Sequence, residues 1–174
     1  GLGPIGGIAS SAATALGPIG IAAGVAGVAL AGIGASSVGV AANFQASMSR
    51  VNAVLGGSQE DFNALSQAAR DAGATTQFSA SQAADALYYL ASAGLSSNEA
   101  TTALVDVLNL AGAGGMDLAQ ASDMLTATLA QYSLKAEEAG RVTNVIAATA
   151  AMANTDVSQM GQALTTVGAY ANAF

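Results

Sequence analysis

The sequence lacks cysteine and histidine, two residue types that carry much of protein chemistry. Without cysteine there is no disulfide framework and no thiol nucleophile. Without histidine the commonest general base and the commonest metal ligand are missing. Thiol catalysis, histidine-based acid–base catalysis and most zinc sites are therefore excluded from these 174 residues.

Charged residues are scarce and unevenly placed. They make up 9% of the chain, against about 25% in a typical soluble domain, and the formal net charge is −7. Binding to a phosphate backbone needs clustered lysine and arginine. The basic residues here are scattered, at Arg50, Arg70, Lys135 and Arg141. The sequence therefore predicts no specific nucleic-acid binding.

All charges lie between Arg50 and Asp156, which divides the chain into an apolar segment, residues 1–43, and a helical region, residues 44–174. The apolar segment is rich in glycine and alanine and predicts a helical hairpin split near Gly17. Its second part, Ile19–Ala42, exceeds the about 20 apolar residues that a helix needs to cross hydrocarbon. The chain begins and ends within a helical pattern, so we expect it to be a piece of a longer polypeptide.

A strip of small residues marks the second part of the apolar segment. Helix backbones approach one another closely along such a strip, which makes it the candidate membrane or helix-packing site. The strip consists of Gly20, Ala23, Gly24 and Gly27. Glycine destabilises helices, however, so burial within protein is an equal alternative to membrane insertion.

The region 44–174 has apolar residues at helical spacing, with recurring start and stop signals. It predicts an all-α fold, a bundle or short array of about six amphipathic helices. Helix starts are predicted at Ser58, Ser79, Ser96, Asp117, before Ala139 and after Thr155. Helix ends are predicted at Gly73, at Gly94 and at Gly114 with Gly115. The apolar face of the last helix is predicted to carry Val157, Met160, Leu164, Val167 and Ala171.

Three related six-residue stretches follow one another in the helical region. They are QAADAL at Gln82–Leu87, QASDML at Gln120–Leu125 and QMGQAL at Gln159–Leu164, at intervals of 38 and 39 residues. This period is typical of helical repeats with two helices in each unit. The alternative is that alanine-rich helices with similar caps resemble one another by chance.

The remaining candidates for chemistry are few. The adjacent carboxylates Glu60–Asp61 and Glu137–Glu138 fall in first helical turns, where negative charge favours the helix dipole. No phosphate-binding loop and no nucleophile elbow occurs. We therefore expect no enzymatic activity, no cofactor and no metal site. Tyr88 and Tyr89 adjoin on one helix, so one ring is a candidate interface residue, with packing beneath a loop as the alternative.

Several short elements, taken in order, resemble one family. They are T-x-F-S at Thr76–Ser79, A-G-L at Ala93–Leu95, L-A at Leu110–Ala111, D-L-x-x-A-S-D at Asp117–Asp123 and N-T-D-V-S from Asn154. Their order and spacing, from Phe44 onward, resemble the core region of tail tape measure proteins of long-tailed bacteriophages and prophages.

The resemblance implies a structural role. Such proteins lie in several copies along the lumen of the tail tube, help to set tail length in assembly and leave ahead of the DNA at infection. The expected partners are further copies of the chain, tail tube and distal tail proteins, tail assembly chaperones and the host membrane. The expected location is the virion tail lumen and, on infection, the host cell envelope. The alternatives are a membrane-active, pore-forming toxin and a plain helical scaffold or adhesin piece.

Overall fold

A computed structural model describes residues 36–153 and 155–171, and every regular element in these ranges is a helix. The helices are α1 (Ser36–Leu55), α2 (Gln59–Thr75), α3 (Ala80–Ser92), α4 (Ser97–Gly114), α5 (Leu118–Gln131), α6 (Ala139–Met152) and α7 (Val157–Ala171). A 3-10 turn, Ala136–Glu138, precedes α6. The predicted all-α class is confirmed, and α2 to α7 are the six predicted helices.

The apolar segment falls almost entirely outside the described residues. The strip formed by Gly20, Ala23, Gly24 and Gly27 is among the residues left undescribed, and the predicted division between residues 43 and 44 lies within α1. Among the helices described, none has both the length and the apolar character needed to span a bilayer. The predicted hairpin and its membrane competence therefore stay predictions.

Reciprocal hydrogen bonds fix the beginnings of three helices. The Ser58 hydroxyl accepts from the Asp61 backbone N–H (3.2 Å), while the Asp61 carboxylate accepts from the Ser58 N–H (2.9 Å). The same capping box forms at Ser79 with Gln82 and at Ser96 with Glu99. On α5 the Asp117 carboxylate accepts from the Gln120 N–H (2.8 Å). These four predicted helix starts are confirmed, because the bonds satisfy N–H groups that lack partners within the helix.

The helix ends agree less closely with prediction. Gly94, two residues after the end of α3, and Gly115, directly after α4, have positive φ angles of 97° and 58°, as predicted. Gly73 is different, because α2 continues to Thr75. A Cβ atom at Gly73 would lie 2.5 Å from the backbone nitrogen of Ala80. The prediction of a helix end at Gly73 is therefore wrong, since this glycine serves the close approach of α2 to the start of α3.

The helices form two layers. In the first layer α5 lies between α3 and α7. In the second layer α4 lies between α2 and α6. Helices consecutive in sequence from α2 to α7 pack across the layers. The Arg50–Asp85 ion pair (2.6 Å) joins α1 to α3, and the Arg70 guanidinium of α2 lies 4.9 Å from the Phe44 ring centre of α1, so α1 contacts both α2 and α3.

The backbone repeats its local structure with the period found in the sequence. Positive φ angles occur at Gly56, Gly94 and Ser133, each two residues before the N-cap of a second-layer helix or of the 3-10 turn that leads into one. These positions are 38 and 39 residues apart, as are the N-caps that follow them, Ser58, Ser96 and Lys135. The two-helix repeat is therefore present in the folded chain.

The core lies between the layers and is built largely from leucine and alanine. Its fully buried large side chains include Leu87, Leu104, Leu125 and Ile146. On α7 the predicted apolar face is wrong in part, because Val167 is 60% exposed. Gly161 and Gly168 are buried instead, since Met124 and Gln131 of α5 occupy the space where their side chains would be.

Candidate functional site

The adjacent carboxylates predicted to favour helix starts lie at helix starts. Hydrogen bonds from the Ser58 hydroxyl and backbone lower the pKa of Asp61, and equivalent bonds from Ser96 lower the pKa of Glu99. Glu138 accepts from the Lys135 backbone N–H (3.3 Å) and pairs with Arg141. Across residues 36–153 and 155–171, no three acidic side chains are grouped so as to hold a metal ion.

Asp106 lies in the middle of a helix, away from the helix starts. It lies on α4, partly buried, and burial raises its pKa. A Cβ atom at Gly140 of α6 would lie 3.2 Å from its Oδ1, so α6 approaches α4 closely here. The Thr143 hydroxyl also donates to the Asp106 backbone oxygen (3.4 Å). Asp106 therefore marks the contact between two second-layer helices.

The two adjacent tyrosines belong to a cluster that joins α1 to α3. The rings of Tyr88 and Tyr89 meet edge to face with centroids 5.5 Å apart, and both are partly exposed. The Arg50 guanidinium lies 5.6 Å from the Tyr88 ring centre and donates to Asp85. Tyr88 also packs against the core. An interface role for either ring stays a prediction.

Close backbone approach defines the contact between α5 and α7. A Cβ atom at Gly161 would lie 1.9 Å from the Met124 sulfur, so glycine leaves room for that side chain in its observed position. Gln120 donates to the Ser158 hydroxyl (2.8 Å), and the Tyr132 hydroxyl donates to the Leu164 backbone oxygen (3.3 Å). These contacts hold the last described helix in place.

An open groove lies where α5, α6 and α7 meet, and we call it the edge groove. It is lined by Thr128, Tyr132, Leu134, Arg141, Val142, Val145, Ile146 and Leu164. Val145 is 52% exposed, although it is a large apolar residue. The one charged side chain in the lining, Arg141, is paired with Glu138. The edge groove can therefore accept an apolar partner better than a charged one.

Sequence reasoning missed the edge groove, because its lining comes from three helices and a loop. A signal was present in the repeat. Val145 lies 39 residues after Asp106, which makes the two residues equivalent positions in successive units. Asp106 lies at a helix contact, whereas Val145 is exposed. Aligning the units by their N-caps brings these two residues into register, but the exposure of Val145 is defined only by the packed structure.

Two of three comparisons relate the chain to known proteins. The model of the family described as phage-related minor tail protein matches residues 66–174. A tape measure protein of Pneumococcus phage Dp-1 is 46% identical over 77 residues, which are 44% of this chain and 7% of that protein. The chain therefore corresponds to a small part of this relative. No solved structure matches.

Proposed function

We propose, because this chain belongs to the phage-related minor tail protein family, that it is a helical part of a tape measure protein and serves a structural role in the phage tail. The observation that carries the proposal is the 46% identity to the tape measure protein of phage Dp-1. That protein is far longer than the matched stretch, so the role of the whole protein is part of the proposal.

In this proposal the protein lies in the lumen of the tail tube, helps to set tail length in assembly and is released to assist genome delivery across the host envelope. Its partners are further copies of the chain, tail tube and distal tail proteins and tail assembly chaperones. The roles of the carboxylates support a structural rather than a catalytic function. Asp61, Glu99 and Glu138 take part in capping helices.

Deleting one repeat from the phage gene tests the proposed role in length. Removing residues 80–117 takes out one first-layer and one second-layer helix and leaves Ser79 as the N-cap of α5 in place of Asp117. If the array keeps its fold in the tube, neighbouring helices about 10 Å apart predict tails about 10 Å shorter. If the region runs as one continuous helix, the rise of 1.5 Å per residue predicts tails about 57 Å shorter.

Electron microscopy of purified particles measures the length, and cryo-electron microscopy of the same particles locates the chain. Particles that lack the chain in the tail would overturn the proposal. A tail of unchanged length with the chain present would remove only the role in length.

We also propose that the apolar segment, residues 1–43, inserts into the host membrane after release. Its length and its strip of Gly20, Ala23, Gly24 and Gly27 support this proposal. The test compares dye leakage from phospholipid vesicles caused by residues 1–174 and by residues 36–174. Equal leakage from the two chains, or none from either, would contradict insertion. The comparisons give no support to the alternative of a pore-forming toxin.

A further inference from the structure

We propose that the edge groove is a docking site for one amphipathic helix of the second-layer type, with small residues near its start. This inference rests on the repeat geometry and does not depend on the proposed role in the tail. It begins from a comparison of the edge groove with the equivalent place one repeat earlier in the chain.

One repeat earlier, the equivalent place is filled. The 3-10 turn and the start of α6 pack there against α4, and Ala136 and Ala139 are buried in the contact. Gly140 follows at once and lies against Asp106. The start of a second-layer helix, with small residues at this point, is therefore what fills the groove formed by the preceding unit.

In the last unit the corresponding positions are uncovered in the described part of the chain. Val145, 39 residues after Asp106, is 52% exposed. On the first-layer helices, Thr128 of α5 is 3% exposed, whereas Val167, its counterpart on α7, is 60% exposed. Leu125 is fully buried and its counterpart Leu164 is only partly buried. The same surface that α6 covers in one unit is left open in the next.

The chemistry of the uncovered surface selects the occupant. Its exposed side chains include Val145 and Tyr132 in the groove lining and Val167 on the same helix as Leu164, and Arg141 is paired with Glu138. A charged peptide therefore gains little there, whereas a helix with an apolar stripe removes valine surface from water. At the start of the stripe the occupant needs a small residue, because Ala100 of α4 and Ala139 of α6 both pack there without exposure.

The test supplies such a helix within the same chain. A copy of residues 94–115, which contain α4, is placed directly after Ala171 in the register of the repeat. The control fusion carries Ala100→Glu in the copy alone, so that its helix starts with a bulky charge where a small residue is needed. Since the chain has no cysteine, a single Val145→Cys substitution reports access to the edge groove by its rate of thiol labelling. Val105→Cys, on the exposed side of α4, reports access elsewhere.

We expect the fused helix to slow labelling at Val145→Cys at least tenfold, with no change at Val105→Cys and little slowing in the control fusion. Equal labelling of Val145→Cys with and without the fused helix would overturn the proposal. Equal protection by both fusions would overturn it too, because the small residue would then be irrelevant. Protection that grows with concentration in the unfused chain would show that a second copy is the occupant instead.

Discussion

Single residues set the backbone path at two kinds of position in this protein. At Gly94 the chain needs a positive φ angle, which glycine adopts without strain. At Gly73 the backbone is helical, and what matters is the space taken by the neighbouring Ala80. The two kinds of position respond differently to the same substitution, which makes both testable.

Gly73→Ala is expected to lower the free energy of unfolding by about 1–3 kcal/mol, because the added methyl group meets backbone atoms that cannot move aside cheaply. Denaturant unfolding followed by circular dichroism measures the change. Gly39→Ala on α1 is the matched control, because nothing lies within 4 Å of the added atom. It is expected to stabilise the helix by about 0.5–1 kcal/mol. Equal effects of the two substitutions would contradict the close approach of α2 to α3.

Ser133→Gly is expected to raise the free energy of unfolding by about 0.5–1 kcal/mol. Ser133 has a φ angle of 52° at the position that Gly56 and Gly94 occupy in the other units. The same denaturant experiment applies. Ser49→Gly, on an exposed turn of α1, is the control and is expected to cost about 0.5 kcal/mol. A loss of stability in both variants would mean that Ser133 is not strained.

At the scale of helices, each start is stabilised by its own capping residues. Because a capping residue and its partner are three residues apart, sequence alone was enough to predict the helix starts at Ser58, Ser79 and Ser96. The helix α1 was predicted only over residues 36–42, as the end of the second part of the apolar segment. Its buried Met48 and Val51 belong to a helix whose first part is rich in glycine, alanine and serine, so the apolar period is weak. Val167 was assigned wrongly because the face of α7 that α5 buries carries glycines, which a search for apolar side chains passes over.

Glu99→Gln is expected to reduce the loss of stability in acid. The hydrogen bonds from Ser96 lower the pKa of Glu99 in the folded state, so the unfolded state binds a proton more readily. The stabilisation is complete above the ordinary glutamate pKa and is lost as the pH falls through the lower, folded-state value. Glutamine still caps the helix, as Gln82 does in α3.

Denaturant unfolding between pH 7 and pH 3 measures this difference, with Glu137→Gln as the control because exposed Glu137 lies outside the capping boxes. The wild-type chain should lose stability more steeply than Glu99→Gln over this range. Parallel curves for wild type and Glu99→Gln would show that the capping bond does not survive in solution.

At the scale of the whole molecule, one core joins all the units. Leu125→Asp is expected to abolish cooperative thermal unfolding, because Leu125 is fully buried and an unpaired carboxylate there costs an amount comparable to the net stability of a domain. Val105→Asp is the control, since Val105 is 42% exposed and the change should stay within about 0.5 kcal/mol. Differential scanning calorimetry measures both. A normal transition for Leu125→Asp would contradict the placement of α5 in the core.

The arrangement of the layers and the edge groove could not be predicted from local signals. Which helices lie side by side depends on contacts between residues about 38 apart, such as Thr143 with Asp106. The period at Gln82, Gln120 and Gln159 indicated that units repeat, but it did not show which faces meet. The groove depends on exposure at Val145 and Val167, which only the packed structure defines.

The regular recurrence of Gly56, Gly94 and Ser133 has a consequence for how such a gene can change. A tandem duplication or loss that copies or removes one period leaves each turn, cap and contact face in phase with its neighbours. Recombination between units can therefore lengthen or shorten the array in whole steps, and we expect products that keep the period to keep the fold.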